Sequence, residues 1–418
     1  MLKMPNFRAS LMATMLAIPF AGIAALTLPL DAIAQAQTGG WHKETADRVK
    51  AAQEAGNKGN FSEAIRVLKE AKVKGPLPLS PQEEQAVNEY LIYAASSAKD
   101  YKLVLETVDE RLATGRVTGA DLVRKLRLKA TTLYATGDYR GAVAAFNKLI
   151  ATQGSATADD LIQLGNAQLV LRDFRAAIPT LEKAVVAAQK AGKPAATVGK
   201  LLEGLNSSYN ETKNDAKRLE TLQRLMAVTP KASVFSQLAS VYEVKSKKDP
   251  VVMINIYRLG ASRGLLSSQH YAKYAELALD LASPGEAVAM IEKGMAGGAI
   301  KKDDRNSRLL ADAKSQVDRL KGSLAQLERE TLATKNGEAE AKLAIAYFTL
   351  KNYSKAVEAG KRGIDEGKLR RADDLNMLLG IALIETKKPA EAKKAFSAAV
   401  AANETIRGVA DMWSSIGA

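Results

Sequence analysis

From about residue 45 to residue 400 the apolar residues fall three or four apart, the spacing of one face of an α-helix. No segment alternates apolar and polar residues as a half-buried strand would. The stretch LGNAQLVLRDFRAAIPTLEKAV sets a frame: Leu164-Gly165, then Asp173-Phe174, Ala177, Leu181 and Ala184. One repeat earlier the same places hold Ala130, Asp138-Tyr139, Ala142, Phe146 and Leu149. Small residues at matched positions let two antiparallel helices approach closely, while the larger ones fill the gap to the next hairpin. The frame recurs at Asn60-Phe61 with Ala64, Leu68, Ala71 and Pro76, and less fully at Asp100-Tyr101 with Val104 and Val108. It returns at Leu343-Ala344, Tyr347, Asn352-Tyr353 and Ala356, then at Leu379-Gly380, Leu383, Pro389, Ala392, Phe396 and Ala399. Between these blocks it is degenerate: Leu205, Tyr209 and Leu222 keep it, but Arg218 stands where a small residue is usual.

The pattern resembles the tetratricopeptide repeat (TPR), W-x2-L-G-x2-Y followed by A-x3-F and a closing proline. The resemblance implies an all-α, right-handed α-solenoid of helix hairpins, and it is similar to that of exported TPR proteins of Gram-negative bacteria. It also implies a concave groove lined by the second, fifth, ninth and twelfth positions of each first helix. Counted from Val123 these are Arg124, Arg127, Thr131 and Tyr134; from Ala158 they include Asn166, and from Gly199 Lys200 and Asn210. Towards the C-terminus the same places include Ile345 and Phe348, then Met377, Ile381 and Ile384, so the groove turns from basic and polar to apolar. The basic part resembles TPR sites that clamp the carboxylates and backbone of an extended peptide, although the full clamp pattern is absent. The expected partner is a protein or peptide, acidic in character, or an anionic cell-envelope component.

The repeat blocks are expected at 45–300 and 337–402, with an irregular helical connector at 301–336. There Leu310, Ala313, Val317, Leu320, Leu324 and Leu327 form an amphipathic stripe, which either packs within the solenoid or serves as a dimerisation seam. Gly322 offers a place for the stripe to fold into a hairpin. In residues 403–418, Ile406, Val409, Met412, Trp413 and Ile416 make one apolar face of a terminal helix. It either caps the last repeat or folds into the apolar groove, which cannot be left uncovered.

Residues 1–36 have the layout of a secretory signal peptide. Lys3 and Arg8 precede an apolar run from Leu11 to Leu30, and Ala32, Ala34 and Ala36 supply the small residues a signal peptidase needs. Cleavage is expected after Ala36, leaving Gln37 first and 37–44 as a mobile segment, with an uncleaved anchor as the alternative. The expected destination is the periplasm, with no transmembrane segment in the mature chain.

Composition narrows the chemistry. The chain has no cysteine and only two histidines, His42 and His270, which removes thiol and Cys-based metal chemistry and leaves little for acid–base work. A formal charge of +14 is spread over the repeats without aromatic interleaving, and nucleic acid is not expected. Gly260-Ala261-Ser262-Arg263-Gly264 matches the nucleophile-elbow spacing, but no strand precedes it and no carboxylate lies between Ser262 and His270. Asp159-Asp160, Asp303-Asp304 and Asp373-Asp374 each precede or open a helical stretch, where acids cap free amides. No catalytic residue, metal site or cofactor is assigned. The sequence reads as a non-enzymatic scaffold; a polysaccharide or outer-membrane export assembly is the narrower alternative, and an envelope hydrolase the contrasting one.

Overall fold

The computed structural model describes residues 41–74 and 78–415, and all regular structure among them is helical. The segment 1–36 with its Ala36/Gln37 junction, Pro76 and Ile416 lie outside the described residues. The chain divides into two compact units, one ending at Lys213 and the other beginning at Asn214. The break therefore falls in the degenerate stretch before Arg218, and not in the connector at 301–336.

Unit 1 is a series of hairpins: α1 (Lys43–Asn57) with α2 (Phe61–Lys74), α3 (Pro81–Ser97) with α4 (Tyr101–Ala113), α5 (Gly119–Ala135) with α6 (Tyr139–Gln153), and α7 (Ala158–Val170) with α8 (Phe174–Lys190), followed by α9 (Ala195–Glu211). The first helix of each pair (A) packs on its partner (B), and each B helix packs on the next A helix. Neighbouring A helices also touch, α1 on α3, α5 on α7 and α7 on α9. Asp100, Asp138 and Asp173 open the B helices by accepting from the backbone N–H of Leu103, Gly141 and Ala176 at 3.1, 2.9 and 3.1 Å. Gly165 shows why the frame needs small residues, since a Cβ there would stand 2.6 Å from Leu181 Cδ2 across the hairpin.

The N-terminal boundary differs from expectation. Helix α1 begins at Lys43, Trp41 packs against the first hydrophobic core, and the His42 backbone N–H donates to Glu83 Oε1 at 2.7 Å. Residues 41–44 are held because Glu83, wholly buried, needs donors. Burial pushes its carboxyl up, but hydrogen bonds from Ser80 and His42 outweigh this and bring it down to about 2.

Unit 2 begins with α10 (Asp215–Val228) and α11 (Ala232–Lys245), then α12 (Pro250–Ser262), the pair α13 (Ser268–Asp280) and α14 (Pro284–Ala296), and the long α15 (Asp304–Thr334). The pairs α16 (Gly337–Thr349) with α17 (Tyr353–Glu366) and α18 (Ala372–Glu385) with α19 (Pro389–Ala402) follow, and after a 3-10 turn α20 (Arg407–Ser414) ends the fold. Helix α15 runs unbroken for 31 residues through Gly322, so no hairpin forms there. Its stripe is partly covered within the unit: Ala313 is fully buried and Leu310, Val317, Leu320, Leu324 and Leu327 are half-buried, while beside it Lys314 pairs with Glu292 of α14 at 2.7 Å and Lys355 of α17 reaches Glu328 at 3.2 Å.

Helix α20 packs on α19 and also on α10 and α12, closing the unit on itself. The Trp413 indole N–H donates to the Asn255 carbonyl at 3.2 Å, and its ring lies parallel to Phe396 with centroids 6.5 Å apart. Gly408 is required at its start, where a Cβ would run into Gln223 and Tyr242.

Candidate partner-binding face

The A-helix face of unit 1 carries the residues expected to line a groove, but two of its cations are engaged. Arg127 forks onto Asp160 of the next A helix, Nε to Oδ1 at 2.9 Å and Nη2 to Oδ2 at 2.8 Å, and Nη2 also donates to Gln153 Oε1 at 2.9 Å. The Asp160 side chain is only 3% exposed. It is also the capping-box residue of α7, exchanging hydrogen bonds with Thr157. Burial pushes its carboxyl up, while the bonds from Arg127 and Thr157 outweigh that and hold it below the usual carboxylate range. Arg127 is thus a tie between successive repeats, unavailable to a ligand. Arg124, half-exposed, donates from Nη2 to Asp121 Oδ1 on its own helix at 3.0 Å.

What remains on this face is neutral apart from Lys200. Thr131 donates its hydroxyl to the Arg127 carbonyl at 2.9 Å, as a helical threonine does. Tyr134 meets Tyr139 edge-on at 5.5 Å; burial pushes its phenol up, and the Asn166 side chain partly offsets this. Thr131, Tyr134 and Asn166 are half-buried, and Lys200 and Asn210 are exposed. The structure therefore brings together a row of hydroxyl and amide groups across α5, α7 and α9 where a cationic clamp was expected.

In unit 2 the corresponding face is not a surface. Phe348, Met377 and Ile381 are 5%, 0% and 4% exposed, and Ile345 and Ile384 are half-buried. Helix α12 meets this face at Phe348, and its ten residues Val251 to Gly260 are all buried, as a helix apolar on every side must be. Its Arg258 guanidinium lies 4.9 Å over the Phe348 ring, and its N-cap Asp249 receives Arg371 at 3.3 Å. Burying seven large apolar side chains of α12 (Val251, Val252, Met253, Ile254, Ile256, Tyr257 and Leu259) contributes on the order of 10 kcal/mol, so the helix is core and not a removable plug. Of the five residues expected here to bind a partner, Phe348, Met377 and Ile381 belong to the interior and Ile345 and Ile384 are half-buried, and the cover over Phe348 comes from Arg258 of α12.

The sequence reading did not identify the polar centre of that interior. Arg258 Nε and Nη2 lie 3.0 and 2.7 Å from the two Glu286 oxygens, which also accept from Tyr274 at 2.6 Å and Ser283 at 2.7 Å. Burial pushes the Glu286 carboxyl up, but Arg258 outweighs it and the carboxylate stays charged. Every oxygen is matched, which marks the cluster as structural. Arg258 and Glu286 stand 28 residues apart, about the span of a repeat, as Arg127 and Asp160 do at 33; that spacing was the available signal.

The chemistry-bearing residues are placed in structural roles as well. His270 is buried and closes a helix cap, its Nδ1 accepting from the Ser267 backbone N–H at 3.1 Å, while burial pushes its imidazole down. Ser262 donates to the Leu259 carbonyl at 2.9 Å. Among the described residues no group of His, Asp and Glu is arranged to hold a metal ion, and no helix is long and apolar enough to cross a membrane.

Comparison with known proteins identifies the repeat. Residues 127–191, from Arg127 in α5 to the end of α8, match the family described as tetratricopeptide repeat. No curated protein matches the sequence. Among solved structures, a tetratricopeptide repeat protein from Parabacteroides merdae is 14% identical, covers 65% of this chain and 100% of its own, and gives a TM-score of 0.34. The structure of Naa15/Naa10 bound to HypK-THB is 14% identical over 83% of this chain and 56% of its own, with a TM-score of 0.37. The TPR2AB domain of yeast Sti1 in its pHSP90 complex is 13% identical over 71% of this chain and 99% of its own, with a TM-score of 0.25.

Proposed function

We propose that this chain, a carrier of tetratricopeptide repeats, is an exported, non-catalytic scaffold that holds a protein or peptide partner along the A-helix face of unit 1. One observation carries the reading: in unit 2 the same face is largely buried, with Arg258 of α12 over Phe348, while in unit 1 it presents Thr131, Tyr134, Asn166 and Asn210 at least partly to solvent. Hydroxyl and amide groups in a row match the alternating donors and acceptors of a peptide backbone. Arg127 is tied to Asp160 and Arg124 leans on Asp121, so recognition rests chiefly on hydrogen bonds and shape with Lys200 as an exposed cation, and binding falls only modestly as salt rises. Export is supported by the charged start, apolar run and Ala-x-Ala exit of residues 1–36.

A photo-reactive amino acid placed at Asn210 in living cells tests the site, with exposed Val186 on α8 as the control position. A discrete protein adduct from Asn210 and none from Val186 is expected, and Tyr134→Ala with Asn166→Ala should abolish it. Equal labelling from both positions would remove this face from consideration. Amino-terminal sequencing of the protein from the periplasmic fraction should read from Gln37; an intact Met1 would overturn export by cleavage.

A further inference from the structure

The turns of unit 1 fall on two edges, and the sequence treats them differently. Both edges need residues in the left-handed region to leave a helix. On the edge leading from each B helix to the next A helix these are Gly115, Gly154 and Gly192, at φ 67, 71 and 65°. On the edge leading from A to B they are Gly59, Lys99, Gly137, Arg172 and Lys213, with φ 59, 59 and 56° at the three cations. Glycine satisfies this conformation without the steric penalty a lysine or arginine meets there. Complementing the helix dipole does not explain the choice, because helix C-termini end on both edges.

Pairing differs between the edges as well. On the B-to-A edge Arg116 pairs with Glu84 at 2.6 Å and Lys193 with Asp159 at 2.8 Å, while Lys190 is exposed without an ion pair among the described residues. On the A-to-B edge Lys99, Arg140, Arg175 and Lys213 are exposed and make no ion pair among the described residues. Lys102 and Arg172 reach acids only at 3.8 and 3.6 Å. The neighbouring Asp100, Asp138 and Asp173 each give Oδ1 to the amide they cap and keep Oδ2 as an acceptor. Cations therefore stand free at intervals of one repeat along this edge.

Between two of these turns lies a notch of about 510 Å³. Arg172, Arg175 and Lys213 supply its positive charge, and Asp173, Glu211 and Thr212 add acceptors among them. A ligand suited to this mixture carries anionic groups and hydroxyl donors on one chain, repeated along the row. We infer that the A-to-B edge of unit 1 binds a linear polymer of acidic sugars, its carboxylates on the guanidinium and ammonium groups and its hydroxyls on Asp173 and Glu211. An acidic peptide brings carboxylates without a regular supply of hydroxyl donors, and a bilayer surface does not enter a notch. A nucleic acid calls for open aromatic faces, and that of Phe174 is covered by Arg172 at 5.7 Å.

The test uses the full-length protein and immobilised polygalacturonate, with poly-glutamate, phosphatidylglycerol vesicles and neutral dextran as the other probes. Retention on polygalacturonate alone is expected, weakening as salt rises. The variant Lys99→Asn/Arg172→Asn/Arg175→Gln/Lys213→Asn should lose about tenfold or more in affinity; asparagine tolerates the left-handed turn. Arg116→Gln/Lys193→Gln, on the other edge, should bind as wild type. Should the fourfold variant melt lower, Arg175→Gln/Lys213→Asn carries the comparison. Absent polygalacturonate binding, equal binding by wild type and edge variant, or equal retention on poly-glutamate or vesicles each overturns the proposal. Tyr134→Ala/Asn166→Ala should leave polygalacturonate binding unchanged, which separates this edge from the partner face.

Discussion

Arg127 offers the most discriminating perturbation, because a groove cation and an inter-repeat tie respond oppositely to its removal. As a groove cation, half-exposed, it would contribute well under about 1 kcal/mol to folding. As a tie, its removal in Arg127→Met strands the Asp160 carboxylate, whose side chain is 3% exposed, at a cost of about 3–5 kcal/mol. For a domain of this size each kcal/mol lowers Tm by about 2–4 °C, so thermal unfolding followed by circular dichroism should shift by roughly 10 °C. The pH dependence gives a second readout. In wild type the Asp160 carboxyl lies below its unfolded value, so its contribution is full above the unfolded pKa and is lost as pH falls through the folded one. Without the guanidinium, burial raises the carboxyl instead, and protonation relieves the variant; the stability gap should narrow as pH falls through the acid range. Adding Asp160→Asn to Arg127→Met should restore part of the loss, as a coupled pair requires. A variant within about 1 kcal/mol of wild type, with a gap independent of pH, would refute the tie.

Glu83→Gln should destabilise unit 1 by about 1–3 kcal/mol at neutral pH; because the folded carboxyl sits at about 2, the wild-type advantage is full above its ordinary value near 4.5 and disappears between there and about pH 2, which acid titration of the unfolding free energy checks. Gly165→Ala forces Leu181 away from 2.6 Å and should cost about 1–3 kcal/mol in urea unfolding, whereas Gly322→Ala, with nothing near its Cβ, should stabilise slightly. Arg258→Met should lower the melting temperature of unit 2 more than Lys314→Met does, since the first strands buried Glu286 and the second removes an exposed pair. Deleting residues from Asn403 removes Trp413 and uncovers α12, and should give a lower-melting protein that binds a hydrophobic dye.

The helices were legible wherever the frame of small and large residues was intact, because Gly165 and Gly380 are set by close contact with Leu181 and Phe396 of their own hairpins. Local physics fixes such positions, and a periodic reading finds them. Long-range placement was not legible. The apolar run Val251 to Leu259 fits an ordinary repeat helix equally well, and only the apolar faces of α16 and α18 hinted that something must occupy their groove. Arg127 looked like a ligand-facing cation because its position in the repeat was right. Its acid lay one repeat ahead in Thr157-x-x-Asp160, a capping box whose second acceptor role is invisible in a local pattern. Gly322 misled in the opposite direction, since one glycine in an exposed helix costs about 1 kcal/mol and α15 has neighbours at both ends to hold it.

The closure of unit 2 by α20 also bears on the order in which the chain can fold. In unit 1 ties such as Arg127 to Asp160 join residues 33 apart, so each hairpin can settle on the one before it as synthesis proceeds. In unit 2 the Trp413 indole meets the Asn255 carbonyl across 158 residues, and Arg371 meets Asp249 across 122. Helix α12 therefore emerges from the ribosome long before the last helix that covers it, and its apolar sides stand exposed throughout the interval. The second half of the protein completes its packing only when the final helix arrives, and a nascent or truncated chain presents the α20-facing side of α12 to chaperones and proteases.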